Sequence, residues 1–201
     1  MDLLKQKPVN RTVLGVGYNS GGKHKPHEKN KQSKAYSAWR KIIERCYCEK
    51  FQKTRPSYKG CSVADEWHDF QNFAEWYTNH KYYGLGYEVD KDLLFRGNKV
   101  YSATNCSLVP QAINNLTLDS RAIRGDSPQG VYLYKRYGSY RAAFRSEGKS
   151  VHIGYFKTQF EASEAYVKAK ERHVKNTALK WANKIEWGVF VNLMHWTVYQ
   201  D

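Results

Sequence analysis

Two aspartates flank a lysine, Asp90, Lys91 and Asp92, at the end of a strand-like segment, and two asparagines follow at Asn105 and Asn114. Carboxylate and amide oxygens are the ligands that Mg²⁺ prefers, so Asp90 and Asn114 are the candidate metal ligands. Phosphodiester hydrolysis needs such a metal to neutralise developing charge, together with a base that activates water. The pattern predicts this chemistry, with Asp90, Lys91 and Asn105 as candidate catalytic residues.

A lysine in this position is an unusual base. At its ordinary pKa near 10.4 the side chain of Lys91 is protonated at pH 7, so it can bind a phosphate but accepts a proton only if strongly desolvated. A simpler interpretation remains open, in which Asp90 and Asp92 are turn carboxylates that pair with Lys91 or Arg96.

The elements around these residues are predicted from hydrophobic periodicity. Residues 86–117 indicate a strand (GYEVDKDLL), a turn (RGNK), a return strand (VYS) and a short helix in CSLVPQAINNL. Two amphipathic helices precede them, at 33–49 and 65–79. In the first helix, Trp39, Ile42, Ile43 and Cys46 follow the i, i+3, i+4, i+7 spacing of a buried stripe.

Three alternating strands and one amphipathic helix are predicted for the segment 130–170. Thr158 and Glu161 form a capping box that starts the helix. Alternation predicts a helix-facing side and an outward side that is basic, aromatic or small, as expected for a sheet that lies on nucleic acid. The helix-facing set is Val131, Leu133, Tyr140, Ala142, Phe144, Val151 and Ile153; the outward set is Tyr132, Tyr134, Arg141, Ala143, Arg145, Ser150 and His152.

The composition fits a polyanionic partner. The chain of 201 residues has 33 Lys and Arg against 19 Asp and Glu, a net charge of +14 that is spread over both halves. Its 16 Tyr and 6 Trp are interleaved with these charges. No segment has the roughly 18 apolar residues of a membrane helix, and the N-terminus has no apolar signal core, so the cytoplasm is the expected compartment. The four cysteines lack Cys-x-x-Cys spacing, so we expect free thiols and no zinc.

The chain is expected to divide into four segments. Residues 1–117 form the first domain, whose first 34 residues are either a loose solvated segment or a lysine-rich arm that contacts nucleic acid. Residues 118–129 are a linker rich in Gly, Ser, Asp and Pro, 130–180 are the second domain, and 181–201 are an apolar tail that packs on a domain.

The second domain resembles the AP2/ERF DNA-binding domains. The resemblance rests on G-V-Y, Y-G-S-Y-R-A-A-F-R, H-I-G-Y-F-K-T and E-A-S-E-A-Y, and it covers about a quarter of the chain. It implies a three-stranded antiparallel sheet on one helix, with the sheet in the DNA major groove. The implied contacts are Tyr132, Tyr137, Arg145 and His152, to which the outward face adds Arg141. Tyr137 and His152 stand where plant members have Trp, Ala143 replaces an acidic contact and Ser150 an Arg, so the DNA sequence preference of those proteins does not transfer.

Residues 13–117 resemble phage-encoded homing endonucleases of the HNH type. The resemblance rests on Y-S-A-W-R-K-I-I-E-R-C-Y, V-D-K-D-L-L and Y-S-A-T-N-C-S-L-V-P-Q-A-I-N-N. It implies a ββα unit that cleaves DNA with Mg²⁺ or another divalent metal, in the cytoplasm of a bacterial host. Lys91 stands where the HNH motif has its general-base His. AP2 domains occur attached to such nucleases, so the two resemblances support each other.

The sequence thus predicts an α+β protein that binds double-stranded DNA, with no membrane and no small-molecule cofactor among its partners. The leading function is a Mg²⁺-dependent homing-type endonuclease that the AP2/ERF-like sheet directs to its site. The alternative is a DNA-binding regulator with an inactive HNH fold. A third hypothesis is a phage protein that captures a host protein through its Trp- and Tyr-rich helices; binding that is insensitive to salt would favour it.

Overall fold

The computed structural model describes residues 13–118 and 127–199. The chain forms two compact units, Met1–Leu108 and Val109–Asp201, and combines helices with small sheets in a mixed α+β architecture. The short helix after the candidate catalytic segment belongs to the second unit. Most of the expected linker, residues 119–126, and the N-terminal residues 1–12 lie outside the described residues.

Three helices build the first unit: α1 (Lys34–Tyr47), α2 (Glu49–Thr54) and α3 (Phe70–Asn79). Ser33 caps α1 by accepting a hydrogen bond from the Tyr36 amide, which satisfies one of the unpaired donors of the first turn. The predicted stripe, which includes Trp39 and Ile43, is buried in the core. The indole N–H of Trp39 donates to the Trp67 carbonyl oxygen at 2.7 Å, so the predicted first helix is confirmed and anchored to the segment before α3.

The second predicted helix is interrupted. Residues Asp65–His68 form a 3₁₀ turn, and α3 starts only after Asp69, whose carboxylate accepts from the Gln71 amide. Tyr18 pairs with this break: its amide donates to the His68 carbonyl and its carbonyl accepts from the Phe70 amide. Because these backbone groups bond to Tyr18, they cannot continue one helix from 65 to 79.

The strands of the first unit are short and pair differently from the predicted hairpin. The described strands are β1 (His27–Glu28), β2 (Lys31–Gln32), β3 (Ser62–Val63), β4 (Glu88–Asp90), β5 (Val100–Tyr101) and β6 (Ser107–Val109). The predicted return strand, β5, runs parallel to β3, whereas β4 pairs with β6. The prediction of a β4–β5 hairpin is wrong, because alternation shows where a strand lies but not which strand it bonds to.

The second unit begins with a short helix, α4 (Gln111–Asn114), followed by an antiparallel sheet in the order β7-β8-β9. The strands are β7 (Val131–Tyr134), β8 (Ser139–Ser146) and β9 (Lys149–Phe156). The long helix α5 (Gln159–Trp181) packs on them and starts with the predicted Thr158–Glu161 capping box. Helix α6 (Trp187–Met194) packs on α5 through the buried Val189 and Leu193.

A β-bulge changes the predicted alternation of the sheet. Ala142 pairs with Gly154 and Ala143 with His152, so Ile153 is an extra residue in β9.

Two residues predicted to face the helix are exposed instead, Leu133 by 53% and Val151 by 37%. Alternation gives the side of a sheet on which a residue lies, but burial also requires that the helix cover that part of the strand. None of the described helices is long and apolar enough to span a bilayer.

Candidate nucleic-acid interface

The register of the second-unit sheet places three side chains in one row across its outward face. Tyr132 of β7 pairs with Arg141 of β8, which pairs with Tyr155 of β9. Directly paired residues point to the same face of a sheet, so the arginine lies between two tyrosines. Tyr132 is 60% exposed and Tyr155 56% exposed, so this row is open to a partner.

The guanidinium of Arg141 is held over β9. Its Nε donates to Nδ1 of His152 at 3.4 Å, and one Nη donates to the hydroxyl oxygen of Ser150 at 3.3 Å. These two long hydrogen bonds orient the guanidinium and use two of its five N–H groups.

A row of aromatic rings continues from this arginine to the other end of the sheet. Ring centroids lie 4.9 Å apart for His152 and Tyr155, 5.7 Å for Tyr155 and Tyr134, and 5.2 Å for Tyr134 and Tyr137. The Arg136 guanidinium lies 5.4 Å from the centroid of the Tyr137 ring. The row of rings thus has an arginine at each end, which suits contacts with phosphates, sugars and base edges.

Arg145 lies at the hairpin end of the same face. It pairs in register with Ser150, and its Nη2 donates to the Gly148 carbonyl oxygen at 3.2 Å. The structure therefore brings Tyr132, Arg141 and His152 into one cluster, with Arg145 and Tyr137 towards the two ends of the sheet. We define the sheet face by these five residues together with Arg136, Tyr134, Ser150 and Tyr155.

Sequence reasoning assigned no contact role to Tyr134, Tyr155 or Arg136. Alternation places Tyr134 on the outward face. Its ring contacts with Tyr137 and Tyr155, which make it part of the aromatic row, are seen only in the structure. For Tyr155 the reason is the bulge at Ile153, because simple alternation from the outward His152 puts Tyr155 on the opposite face. Bulges have no reliable sequence signature, so only the pairing register reveals this residue.

In the first unit, Asp90 ends β4 and shapes the turn that follows. Its Oδ1 accepts from the backbone amides of Asp92 at 2.8 Å and of Leu93 at 2.7 Å. Burial raises the pKa of the Asp90 carboxyl, and the charge of Asp92 adds to this, while the two amide hydrogen bonds and Lys91 oppose it. The Asp90 side chain thus helps to fix the backbone of the turn that follows β4.

Lys91 is buried, with 5% of its surface exposed, and its ammonium group faces its own loop. It donates to both carboxylate oxygens of Asp92 at 2.7 and 2.8 Å and to the Asn98 carbonyl oxygen at 2.7 Å. An ammonium has three N–H donors, so these contacts can use all of them. The Asn98 side chain donates back to the Lys91 carbonyl oxygen at 2.9 Å, and we call this Lys91–Asp92–Asn98 set the loop clamp. Asp92 therefore matches the simpler interpretation of the sequence, in which it is a turn carboxylate that pairs with Lys91.

The two asparagines lie in different units. Asn105 reaches the loop clamp, because its Nδ2 donates to the Asn98 Oδ1 at 3.4 Å, whereas Asn114 ends α4 in the second unit. Within residues 13–118 and 127–199, no group of three or more His, Cys, Asp or Glu side chains is placed to hold a metal ion. Lys91 donates to both oxygens of Asp92, so Asp92 is occupied within its own loop, whereas both amide contacts of Asp90 use Oδ1 only.

The lysine-rich N-terminal segment contains a tight hairpin of β1 and β2. Its two turn residues, Lys29 and Asn30, have φ of 47° and 62°, as in a type I′ turn. The Ser33 amide donates to the Pro26 carbonyl at 2.9 Å, which ties the hairpin to the start of α1. Five exposed lysines lie on or beside this hairpin: Lys23, Lys25, Lys29, Lys31 and Lys34.

Comparison of the chain with protein-family models, with curated proteins and with solved structures found no match.

Proposed function

We propose that this chain binds double-stranded DNA through the sheet face of its second unit. The observation that carries the proposal is the register that sets Tyr132, Arg141 and Tyr155 side by side, with His152 bonded to the arginine. Three strands about 4.8 Å apart make a sheet about 10 Å wide, and the major groove of B-DNA is about 12 Å wide. An AP2/ERF-like mode of docking, with the sheet in the groove, is part of this proposal.

The charge of the whole chain supports the same partner. A net charge of +14 attracts a polyanion at long range, and the lysine hairpin of the first unit adds a second cationic surface. Exposed tyrosines next to arginines are better suited to a nucleic acid than to a lipid headgroup surface, because rings can pack on sugars and thymine methyl groups.

Of the two DNA-binding functions that the sequence predicts, the geometry favours the regulator. In the HNH resemblance Lys91 stands at the sequence position of the general-base His, and its ammonium is saturated by the loop clamp. For Lys91 to bind a scissile phosphate or accept a proton, at least one of these three contacts would have to break. The loop clamp supports a structural role for this segment.

The endonuclease is the second candidate, because Asp90 ends β4 directly before Lys91 and Asn105 reaches the loop clamp through Asn98. In that function Asp90 would hold Mg²⁺, which would supply charge neutralisation at the phosphate, whereas Asn114, the other predicted ligand, belongs to the second unit. The amide contacts of Asp90 use Oδ1, so Oδ2 would be its metal-binding oxygen.

The binding proposal is tested by fluorescence anisotropy with labelled duplex DNA at several salt concentrations. We expect Arg141→Ala to weaken binding about tenfold or more, since an arginine contact to DNA contributes about 1–3 kcal/mol. The matched control is Arg172→Ala, which removes the same charge from an exposed position on α5. Equal losses in the two variants would mean that the sheet face has no special role and only net charge matters.

The endonuclease is tested by incubating supercoiled plasmid with the protein in the presence and absence of Mg²⁺ or Mn²⁺. Asp90→Asn keeps an oxygen for the two backbone amides but removes the charge that a metal needs. If the wild type nicks DNA and this variant does not, the second candidate is correct. If neither protein nicks DNA while both bind it, the regulator stands.

A further inference from the structure

The second unit contains a cavity of about 720 Å³ between the sheet, the start of the unit and α5. Its size lies within the range of small-molecule sites, about 300–1,000 Å³. Tyr132 and Arg145, which belong to the sheet face, also line this cavity, so it opens beside the candidate DNA interface. All lining residues belong to the second unit.

One lysine in the wall of the cavity is buried without an acidic partner. Lys170 occupies the buried stripe of α5 one turn after Tyr166 and one turn before Val174, and only 5% of its surface is exposed. Its Nζ lies 5.3 Å from the centre of the Phe144 ring. No hydrogen bond or ion pair joins Lys170 to any other residue in the two described ranges. Burial lowers the pKa of its amine.

A cation–π contact replaces only part of the hydration that a buried ammonium loses, so this position is poorly compensated in the empty cavity. An apolar residue would fit the stripe better, as Val174 and Ala178 do. A bound anion would supply the missing partner and would favour the charged form of the amine.

The other side chains that line the cavity indicate which kind of anionic ligand would fit it. Arg145 adds a cation, and Glu147 contributes a carboxylate. His173 adds an imidazole whose pKa is lowered by burial and by the charges of Lys170 and Lys180. Phe144 lies 4.9 Å from the His173 ring, centroid to centroid, and the Tyr166 ring is also in the wall. The cavity thus combines cationic side chains, which bind an anion, with aromatic rings, which pack against a planar group. A nucleotide has both parts, a phosphate and a planar base.

We infer that this cavity binds a nucleotide, with Lys170 contacting its phosphate and the aromatic wall contacting its base. The nucleotide is either free in solution or the phosphorylated end of a DNA strand, since both carry the same chemistry. This inference goes beyond the proposed binding of duplex DNA and is carried by Lys170, which is not part of the sheet face.

The test uses the full chain and isothermal titration calorimetry with deoxynucleoside 5′-monophosphates, inorganic phosphate and 5′-phosphorylated single-stranded oligonucleotides. We expect a monophosphate or the oligonucleotide to bind the wild type. We expect Lys170→Met to lose at least about tenfold in affinity, the equivalent of one charge-assisted contact. The control Lys168→Met, at an exposed position of the same helix, should bind as the wild type does.

The Lys170→Met variant should fold well, because methionine fills the same space and removes an uncompensated buried charge; its thermal midpoint should equal or exceed that of the wild type. Binding of the oligonucleotide alone would support the inference and assign the site to DNA ends. Two results would overturn it: no binding of any of these nucleotides at millimolar concentration, or equal affinity of wild type and Lys170→Met. Because Lys170 belongs to the cavity and not to the sheet face, its substitution reports on the cavity, so a failure of duplex binding would refute the proposed function and leave this inference standing.

Discussion

Two buried lysines differ in how their charge is compensated. Lys91 has three oxygen acceptors within its own loop, whereas Lys170 has an aromatic ring and a cavity. A buried charge is tolerated when it is paired and hydrogen-bonded, and it is costly when it is not. The first lysine therefore stabilises a loop, and the second is available for a ligand.

We expect Lys91→Met to destabilise the first unit by about 1–3 kcal/mol, because the Asn98 carbonyl loses its donor and Asp92 loses its partner. The loss is limited because the Asp92 side chain is half exposed and water can replace the ammonium there. Urea denaturation measures the change, with Lys41→Met, at an exposed position of α1, as the control. Wild-type stability in Lys91→Met would show that the loop clamp contributes little.

At the scale of the elements, the helices were easier to predict than the strand pairings. The apolar stripe of α1 and the capping box of α5 are local signals, and both appear in the structure. The parallel pairing of β3 with β5 joins residues about forty positions apart, and no local pattern encodes it. The bulge at Ile153 likewise depends on how two strands meet, which is why Tyr155 was overlooked as a contact.

Gly130, at the entry to β7, is a position where the sheet admits no side chain. Its φ is +71°, and a Cβ there would overlap the Tyr166 ring and approach the Ala143 carbonyl oxygen to 2.7 Å. We expect Gly130→Ala to destabilise the second unit by about 3 kcal/mol or more, through overpacking added to backbone strain.

The control for this substitution is Gly148→Ala in the β8–β9 turn. Gly148 has a similar φ of +78°, but a Cβ there would meet nothing within 4 Å, so only the backbone cost of about 1–2 kcal/mol remains. Thermal unfolding of both variants separates the two effects. Similar losses in the two would show that packing against Tyr166 is unimportant.

For the whole molecule, composition predicts a polyanionic partner, and this stays a prediction. The basic charge and the interleaved tyrosines pointed to a nucleic acid, and the structure gathers Tyr132, Arg141 and His152 on one face. For Asp90, Lys91 and Asp92 the sequence left two interpretations open, a catalytic site or turn carboxylates paired with a basic residue. The loop clamp matches the second for Asp92. The lack of an acidic partner for Lys170 could not be predicted. Helical periodicity places Lys170 in the buried stripe of α5, but it does not show which side chains of the sheet pack against it.

The bulge also bears on how the protein behaves at high concentration. Strand β9 is an edge of its sheet, eight residues long and rich in Val, Ile, Tyr and Phe, and such an edge can recruit a strand from a neighbouring molecule. The extra residue at Ile153 disturbs the regular spacing of backbone donors and acceptors along that edge, and Lys149 puts a charge at its beginning. The irregularity that turns Tyr155 towards the proposed DNA surface thus also discourages strand-by-strand aggregation.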